Sequence, residues 1–157
     1  MRRNLYLSAL IATAVYSATF FLGVLVPQPA ALGGVVTRAE PRFLDTWLHN
    51  VASLAPLWLG ALSFGALTML WLAFQGLAHG FAVGHAGLPV ALALAKIWRH
   101  GLLEIASILL AATFGLSPGV ALFLENKVVW PKLTWLLGML AWLSLLGLAA
   151  YLEGRGL

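Results

Sequence analysis

The sequence predicts an all-α fold, an integral membrane helical bundle of five transmembrane helices with an interfacial helix before the second. Hydrophobic residues make up 62% of the 157 residues and charged residues only 9%, whereas about a quarter of the residues of globular proteins are charged. The mean hydropathy is +0.95, and the apolar runs are about 20 residues long, the length that crosses a bilayer. Five such runs use up the chain, so residues 1–157 are expected to form a single transmembrane domain.

Charge and cysteine content restrict the classes of function. The chain has no cysteine, which excludes disulfides, thiol catalysis and the usual cysteine-containing zinc sites. The pI is about 10.0, but the basic residues are scattered at predicted helix ends, so they are interpreted as interfacial anchors and not as a nucleic-acid surface. The apolar runs predict a multi-pass cell-membrane protein. Because the charges next to the first helix usually decide the orientation, Arg2 and Arg3 predict a cytoplasmic N-terminus.

The first predicted span covers about residues 5–26. A basic start before an apolar body is also typical of an export signal, but this uncharged body has 22 residues, and a signal core has about 7–15. A retained transmembrane helix is therefore predicted, ending at Pro27 and Pro29.

An amphipathic segment follows at about residues 41–53. Pro41 is a favoured first helical residue, and apolar and polar residues then fall on opposite helix faces. We expect an interfacial elbow helix that lies in the headgroup plane, with Phe43 and Trp47 at interfacial depth. The alternative is a second transmembrane helix that begins early.

The remaining spans are predicted at about residues 54–74, 77–96, 99–118 and 132–152. Pro56 is expected to bend the start of the second span. The pair Gln75-Gly76 is the only polar break before the third span, so a tight turn is predicted there. Pro89 is expected to kink the third span, and Lys96 to close it.

Small residues recur every four positions in two of these spans. Such ridges let another helix approach closely, so the third and fourth helices are expected to cross through them. The predicted packing residues are Gly76, Gly80 and Gly84 in the third span, and Ser107, Ala111, Gly115 and Gly119 in the fourth.

A carboxylate lies within the fourth span. If Arg99 marks the water boundary, Glu104 is about 7 Å deep, where an acidic or basic group costs roughly 2.5–3.5 kcal/mol, so it should face protein or water. His100 lies one turn earlier on the same face, so a neutral imidazole is expected to donate to Glu104, with Arg99 as the nearby positive charge. With Gly101, where a neighbouring backbone can approach, these residues form the predicted intramembrane polar site.

An ordered set of residues resembles a known family. The set is Asn50, then Gly60 and Gly65, then Gln75-Gly76 with Gly80, then His100-Gly101-Leu102-Leu103-Glu104-Ile105 with Ala111-Ala112 and Gly115-Leu116. It resembles the stage II sporulation protein M family of small polytopic membrane proteins, whose pattern has a His-Gly-x-x-Glu core at the head of a late helix. Two positions depart from the pattern: Arg99 stands where the family commonly has Pro, and Gln75 where it commonly has Asn.

The resemblance implies a non-enzymatic membrane component that acts as a scaffold or recruits partners, with a link to cell-envelope remodelling. The expected partners are the lipid bilayer and other membrane proteins, with a homo-oligomer compatible with this reading. No nucleic acid, small-molecule substrate, metal or cofactor is expected.

Two other functions are open at this point. A transporter or exporter subunit would use Glu104 and His100 as an intramembrane polar or proton site. An intramembrane metal-dependent hydrolase would need further ligands, for which His79 and His85 are the candidates. These two histidines are six residues apart and point in nearly opposite directions on a helix, so at most one can join the site, and the chain has no His-Glu-x-x-His motif.

Overall fold

The computed structural model describes residues 2–27, 43–86, 89–127 and 132–155, and every regular element in these ranges is helical. The elements are α1 (Arg2–Leu25), α2 (Phe43–Leu59), a 3-10 turn (Gly60–Ser63), α3 (Ala66–Gly84), α4 (Val90–Glu125) and α5 (Lys132–Gly154). The predicted all-α class is confirmed for these residues. Stretches of α1, α3, α4 and α5 are long and apolar enough to cross a membrane, so four of the described helices are candidates, by length and composition, for the five crossings that the sequence predicted.

The helices alternate in direction along the chain. Successive glycines of α3, Gly80 and Gly84, lie against successive carbonyls of α1, those of Phe20 and Val24, so α1 and α3 are parallel. The chain must therefore return between them, and α2 with its 3-10 turn makes this return. A hydrogen bond from Asn4 to Glu125 joins the start of α1 to the end of α4, so these two helices are antiparallel.

The predicted tight turn at Gln75-Gly76, between spans at residues 54–74 and 77–96, was wrong. The chain reverses direction earlier, at Phe64 and Gly65, which have left-handed φ values of 51° and 90°. Glycine adopts this conformation at little cost, and the Gly65 N–H closes the turn on the Gly60 carbonyl at 2.8 Å. Gln75 can lie inside α3 because its amide donates a hydrogen bond to the Ser53 carbonyl of α2.

The prediction of a separate elbow helix at residues 41–53 was also wrong. Within the described residues, α2 begins at Phe43 and continues through Pro56 to Leu59 as one helix. Leu57 and Trp58, beyond the predicted bend, are buried in the core of the bundle. These residues pack against other helices. This packing keeps the chain helical after Pro56.

The predicted division between spans at residues 77–96 and 99–118 was wrong as well. Pro89 does not kink a helix but immediately precedes α4, which then continues through Pro118 to Glu125 over 36 residues. At 1.5 Å per residue this helix is about 54 Å long, which exceeds the roughly 30 Å hydrocarbon core of a bilayer. Lysine and arginine are good helix formers, so the basic residues at the predicted boundary do not interrupt it.

The two small-residue ridges do not pair with each other, which corrects the predicted crossing of the third and fourth helices. The ridge of α3 packs against α1, where Gly76 and Gly80 are buried. The ridge of α4 packs against the end of α2 and the following turn, with Gly115 against the Leu57 carbonyl and Gly119 against the Phe64 carbonyl. Each ridge has a main chain as its neighbour, which explains why both need glycine.

An aromatic cluster joins α5 to the bundle. Trp58 of α2 stacks on Phe114 of α4 with ring centroids 5.1 Å apart, and Trp135 and Trp142 of α5 pack on the same indole at 5.6 and 5.8 Å. Gly138 of α5 lies against the Phe114 ring, so the absence of a side chain there lets α5 approach α4. The cluster fixes α2 between α4 and α5.

Candidate functional site

The Glu104 carboxylate faces protein and accepts a hydrogen bond from a side chain of α2. The Asn50 amide nitrogen donates a hydrogen bond of 3.1 Å to one carboxylate oxygen, and the Glu104 side chain is only partly exposed. Glu104 lies in the apolar stretch Gly101–Glu125 of α4. A carboxylate in such a stretch is stabilised by polar protein groups in place of water, and α2 supplies one.

Near Asn50, a main-chain carbonyl of α2, that of Ser53, forms a second polar centre. Pro56 has no N–H, which disturbs the helix hydrogen bonds one turn earlier. Three residues before it, the Ser53 carbonyl accepts hydrogen bonds from the Trp71 indole at 2.6 Å and the Gln75 amide at 3.4 Å. Both donors come from α3, so the part of α2 just before Pro56 is held to α3 by side chains.

A third polar pair joins α1 to α3. The Tyr16 hydroxyl and the His79 Nδ1 are 2.8 Å apart, and Tyr16 is only 5% exposed. The approach depends on Gly76, one turn before His79, because a Cβ there would lie 2.8 Å from the Tyr16 carbonyl. The glycine ridge of α3 therefore brings the phenol and the imidazole together.

These three centres surround one small polar pocket of about 40 Å³ between α2, α3 and α4. Its lining residues are Asn50, Ser53, Leu54, Gln75, His79, Glu104 and Ile108. One water molecule needs a cavity of only about 10–15 Å³. The pocket therefore has room for water or an ion, but not for an organic substrate.

The structure brings together part of the predicted polar site. Glu104 lines the pocket, and Gly101 is partly buried on α4 one turn earlier. The side chains of Arg99 and His100 lie outside the described part of the chain, so the hydrogen bond from His100 to Glu104 stays a prediction. Glu104 faces α2 and the pocket, and not the glycine ridge of α3.

Sequence reasoning missed the roles of Tyr16 and His79. Tyr16 lies within the apolar run of the first span and was not singled out, and His79 was considered as a candidate metal ligand; it lies inside α3, which continues to Gly84. His85 follows the end of α3, where its ring nitrogen contacts the Phe81 carbonyl and its ring stacks on Phe81. Of the two histidines, only His79 lines the pocket.

A metal-dependent hydrolase would need a larger set of ligands. Within the described ranges, no group of three or more His, Cys, Asp or Glu side chains could hold a metal ion. Among the described residues that line the pocket, Glu104 is the only acid, and the imidazole there bonds to Tyr16. The described geometry thus offers polar contacts between helices and a space for a small ligand.

The comparison with protein families agrees with this arrangement. The family described as Stage II sporulation protein M matches residues 5–155, well beyond the segment from about Phe43 to Gly119 that carries the resemblance. No curated protein and no solved structure matches the chain. Asn50 and Glu104 of the family pattern line the pocket, although 54 positions separate them. Gln75, which stands where the family commonly has Asn, lines it as well. Because the match covers nearly all of the sequence, the chain belongs to the stage II sporulation protein M family of membrane proteins.

Proposed function

We propose that the protein is a non-enzymatic scaffold that holds or recruits partners in a membrane complex, in a process linked to cell-envelope remodelling. One observation carries the proposal: two pairs of polar side chains inside the bundle bond from one helix to another. Asn50 of α2 bonds to Glu104 of α4, and Tyr16 of α1 bonds to His79 of α3. Such bonds fix the relative positions of helices, which is what a platform for partners needs.

The energies are suited to a structural role. Hydrogen bonds between membrane helices contribute about 0.6 kcal/mol each on average, so several of them add to the close glycine packing of α1 on α3. The pocket of about 40 Å³ is too small for an organic substrate. These features support a rigid bundle that offers its lipid-facing surface to other membrane proteins or to a second copy of itself.

The experiment that tests the proposal is Glu104→Gln in the full-length protein, expressed in its native membrane. The glutamine keeps an oxygen that can accept from Asn50, so a scaffold should retain its expression level and its co-isolating partners. Loss of those partners at full expression would contradict a carboxylate that only joins helices. Glu153→Gln, the same change at the end of α5, is the matched control.

A second candidate, a membrane subunit of a transporter or exporter, is favoured by a different observation. An acid within a membrane-spanning helix borders a polar pocket, and such acids often mark transport paths. Under this function, Glu104→Gln abolishes flux through the complex while assembly survives. Flux that is equal in both variants and independent of pH would exclude a proton-coupled role.

For the orientation, we infer that the N-terminus is cytoplasmic. Arg2 and Arg3 precede the first crossing helix, and positive charge next to that helix usually stays on the cytoplasmic side. The alternation of helices then places the end of α4 and Lys127 on the same side as the N-terminus, and Arg155 on the opposite side. A fluorescent reporter that folds only in the cytoplasm, fused to the N-terminus, tests this orientation.

A further inference from the structure

We propose that an apolar groove between α1 and α4 binds one acyl chain of an anionic phospholipid, whose phosphate lies next to Arg3. The groove has a volume of about 470 Å³. Its lining residues are Leu5, Tyr6 and Ala9 of α1 and Leu110, Thr113 and Phe114 of α4. This lipid site goes beyond the scaffold function and does not depend on it, since the groove shares no lining residue with the polar pocket.

The lining of the groove is mostly hydrocarbon. Among the residues that α4 contributes, Thr113 alone has a polar side chain, and its hydroxyl donates to the Leu109 carbonyl of the same helix at 2.7 Å. The lining residues belong to the apolar stretches Arg3–Leu25 and Gly101–Glu125, both of which are long enough to cross a membrane. In a bilayer, the groove is therefore open to acyl chains and not to water.

The groove runs lengthwise from one end of the bundle. The Asn4 amide donates to the Glu125 carboxylate at 2.9 Å, which places the start of α1 and the end of α4 at the same level. Leu5 is next to Asn4, whereas Leu110 lies 15 residues before Glu125, about 22 Å at 1.5 Å per residue. The groove therefore reaches from the headgroup level to about the middle of a bilayer whose hydrocarbon core is roughly 30 Å thick. This is the depth of one leaflet.

The groove is also narrow. Over a length of about 20 Å, a volume of about 470 Å³ corresponds to a mean cross-section of roughly 24 Å². An α-helix with its side chains is about 10–12 Å in diameter, so its cross-section is about three times larger. A transmembrane helix of a partner would also continue through both leaflets. The dimensions of the groove are those of a single extended hydrocarbon chain.

Positive charge lies where the groove opens at the membrane surface. Arg3 lies two residues before Leu5, Lys127 lies two residues after Glu125, and both basic residues are exposed. Neither has an ion-pair partner among the described residues, and the acid at this end, Glu125, accepts from Asn4. Because lipid tails are as apolar as leucine, an apolar groove alone does not select one lipid. Basic residues at the headgroup level do, since they attract anionic lipids.

The test is native mass spectrometry of the full-length protein released from detergent micelles. Dioleoylphosphatidylglycerol competes with dioleoylphosphatidylcholine, which has the same chains and no net charge. We expect one phosphatidylglycerol to be retained, with about tenfold preference. Equal retention of the two lipids overturns the proposal, because the groove would then hold ordinary annular lipid. Glycerol 3-phosphate, which has the phosphate without the chains, should not displace the lipid. Displacement by it would overturn an acyl-chain site.

Variants separate the groove from general lipid binding. Ala9→Leu fills the groove and should abolish the retention of phosphatidylglycerol, whereas Ala14→Leu, the same change at an exposed position of α1, should keep it. Arg3→Gln should weaken retention about fivefold, and Arg155→Gln, after the end of α5, should not. Unchanged retention in Ala9→Leu or in Arg3→Gln overturns the proposal.

A photoreactive lipid locates the chain in the wild-type protein, so it decides the matter even if a variant does not fold. A phosphatidylglycerol with a diazirine at the end of one acyl chain should cross-link to residues 110–114, and excess unlabelled lipid should suppress the reaction. Cross-links spread evenly over the lipid-facing helices overturn the proposal. A dimer that excludes the lipid and dissociates in Ala9→Leu also overturns it, because a second copy of the chain would then occupy the groove.

Discussion

Gly80 of α3 lies directly against the main-chain carbonyl of Phe20 in α1. The same relationship recurs one turn further along, where a Cβ on Gly84 would lie 2.8 Å from the Val24 carbonyl. Gly23 of α1 is placed in turn against the backbone of α3 at Leu77. Both helices therefore contribute glycine to one interface, which is closer than any pair of ordinary side chains would allow. This packing sets the distance at which Tyr16 reaches His79.

A methyl group at Gly80 should destabilise the bundle. Gly80→Ala places a Cβ against backbone, which cannot rotate away, and we expect a loss of about 1–3 kcal/mol, the usual cost of overpacking. The measurement is unfolding in mixed micelles at increasing denaturing detergent. Gly147→Ala is the matched control, because its Cβ would meet the Trp47 ring at an ordinary 3.8 Å. That variant should be neutral or more stable, since alanine is the better helix former. Equal stability of the two variants would contradict the α1–α3 interface.

The Tyr16–His79 hydrogen bond should be measurable as a coupling energy. Tyr16→Phe removes only the hydroxyl that contacts Nδ1 at 2.8 Å. A double-mutant cycle with His79→Leu should give about 0.6 kcal/mol, and at most roughly 1.7 kcal/mol, as found for hydrogen bonds between membrane helices. Tyr6→Phe is the control, because Tyr6 is 72% exposed. A coupling indistinguishable from zero would mean that the two rings merely touch.

Thr68→Val should cost more than the same change at Thr113. The Thr68 hydroxyl is fully buried and donates to the Leu57 carbonyl of α2 at 3.0 Å. The Thr113 hydroxyl donates at 2.7 Å to Leu109, within its own helix. Since valine is nearly isosteric, we expect a loss of about 0.5–1.5 kcal/mol at Thr68 and a smaller one at Thr113. Comparable losses at both positions would indicate that Thr68 does not join α2 to α3.

The all-α class followed from composition alone, whereas the helix boundaries did not. Hydropathy reports which residues avoid water, but it does not report where a turn lies within an apolar region. The turn at Phe64 and Gly65 is made by left-handed backbone inside a stretch that reads as continuous hydrocarbon. Gln75-Gly76 looked like a break because a polar residue usually meets water, yet Gln75 bonds to α2. Its partner lies 22 positions away, and no local pattern reveals such a contact.

The candidate site was likewise predictable only in part. Glu104 was identified because an acid within an apolar run is costly. Its partner Asn50 entered only through the family pattern, and its contact with Glu104 depends on the direction of α2. The glycine ridges were visible as four-residue spacing, but spacing does not say which helix a ridge meets. Tyr16 gave no signal of its own, because its role arises from the position of α1 next to Gly76.

The position of the α2–α3 turn can be tested by cysteine labelling, since the chain has no native cysteine. We expect Ser63→Cys to react with a membrane-impermeant maleimide from the same side as Arg3→Cys, because α2 returns the chain to the end where α1 begins. Ala86→Cys, after the end of α3, should react only from the opposite side. The measurement is labelling of right-side-out and inverted vesicles, with detergent-opened vesicles as the control for total reactivity.

The alternative arrangement makes a different prediction for the same residue. If the second span covered residues 54–74, Ser63 would lie in the middle of the bilayer, and Ser63→Cys would be protected from the reagent on both sides. Reaction from the side of Ala86→Cys would instead mean that α2 does not cross, and that α1 and α3 are not parallel. Labelling from the N-terminal side alone agrees with the contacts of Gly80 and Gly84 with α1. Those contacts require α3 to begin on the same side of the membrane as α1.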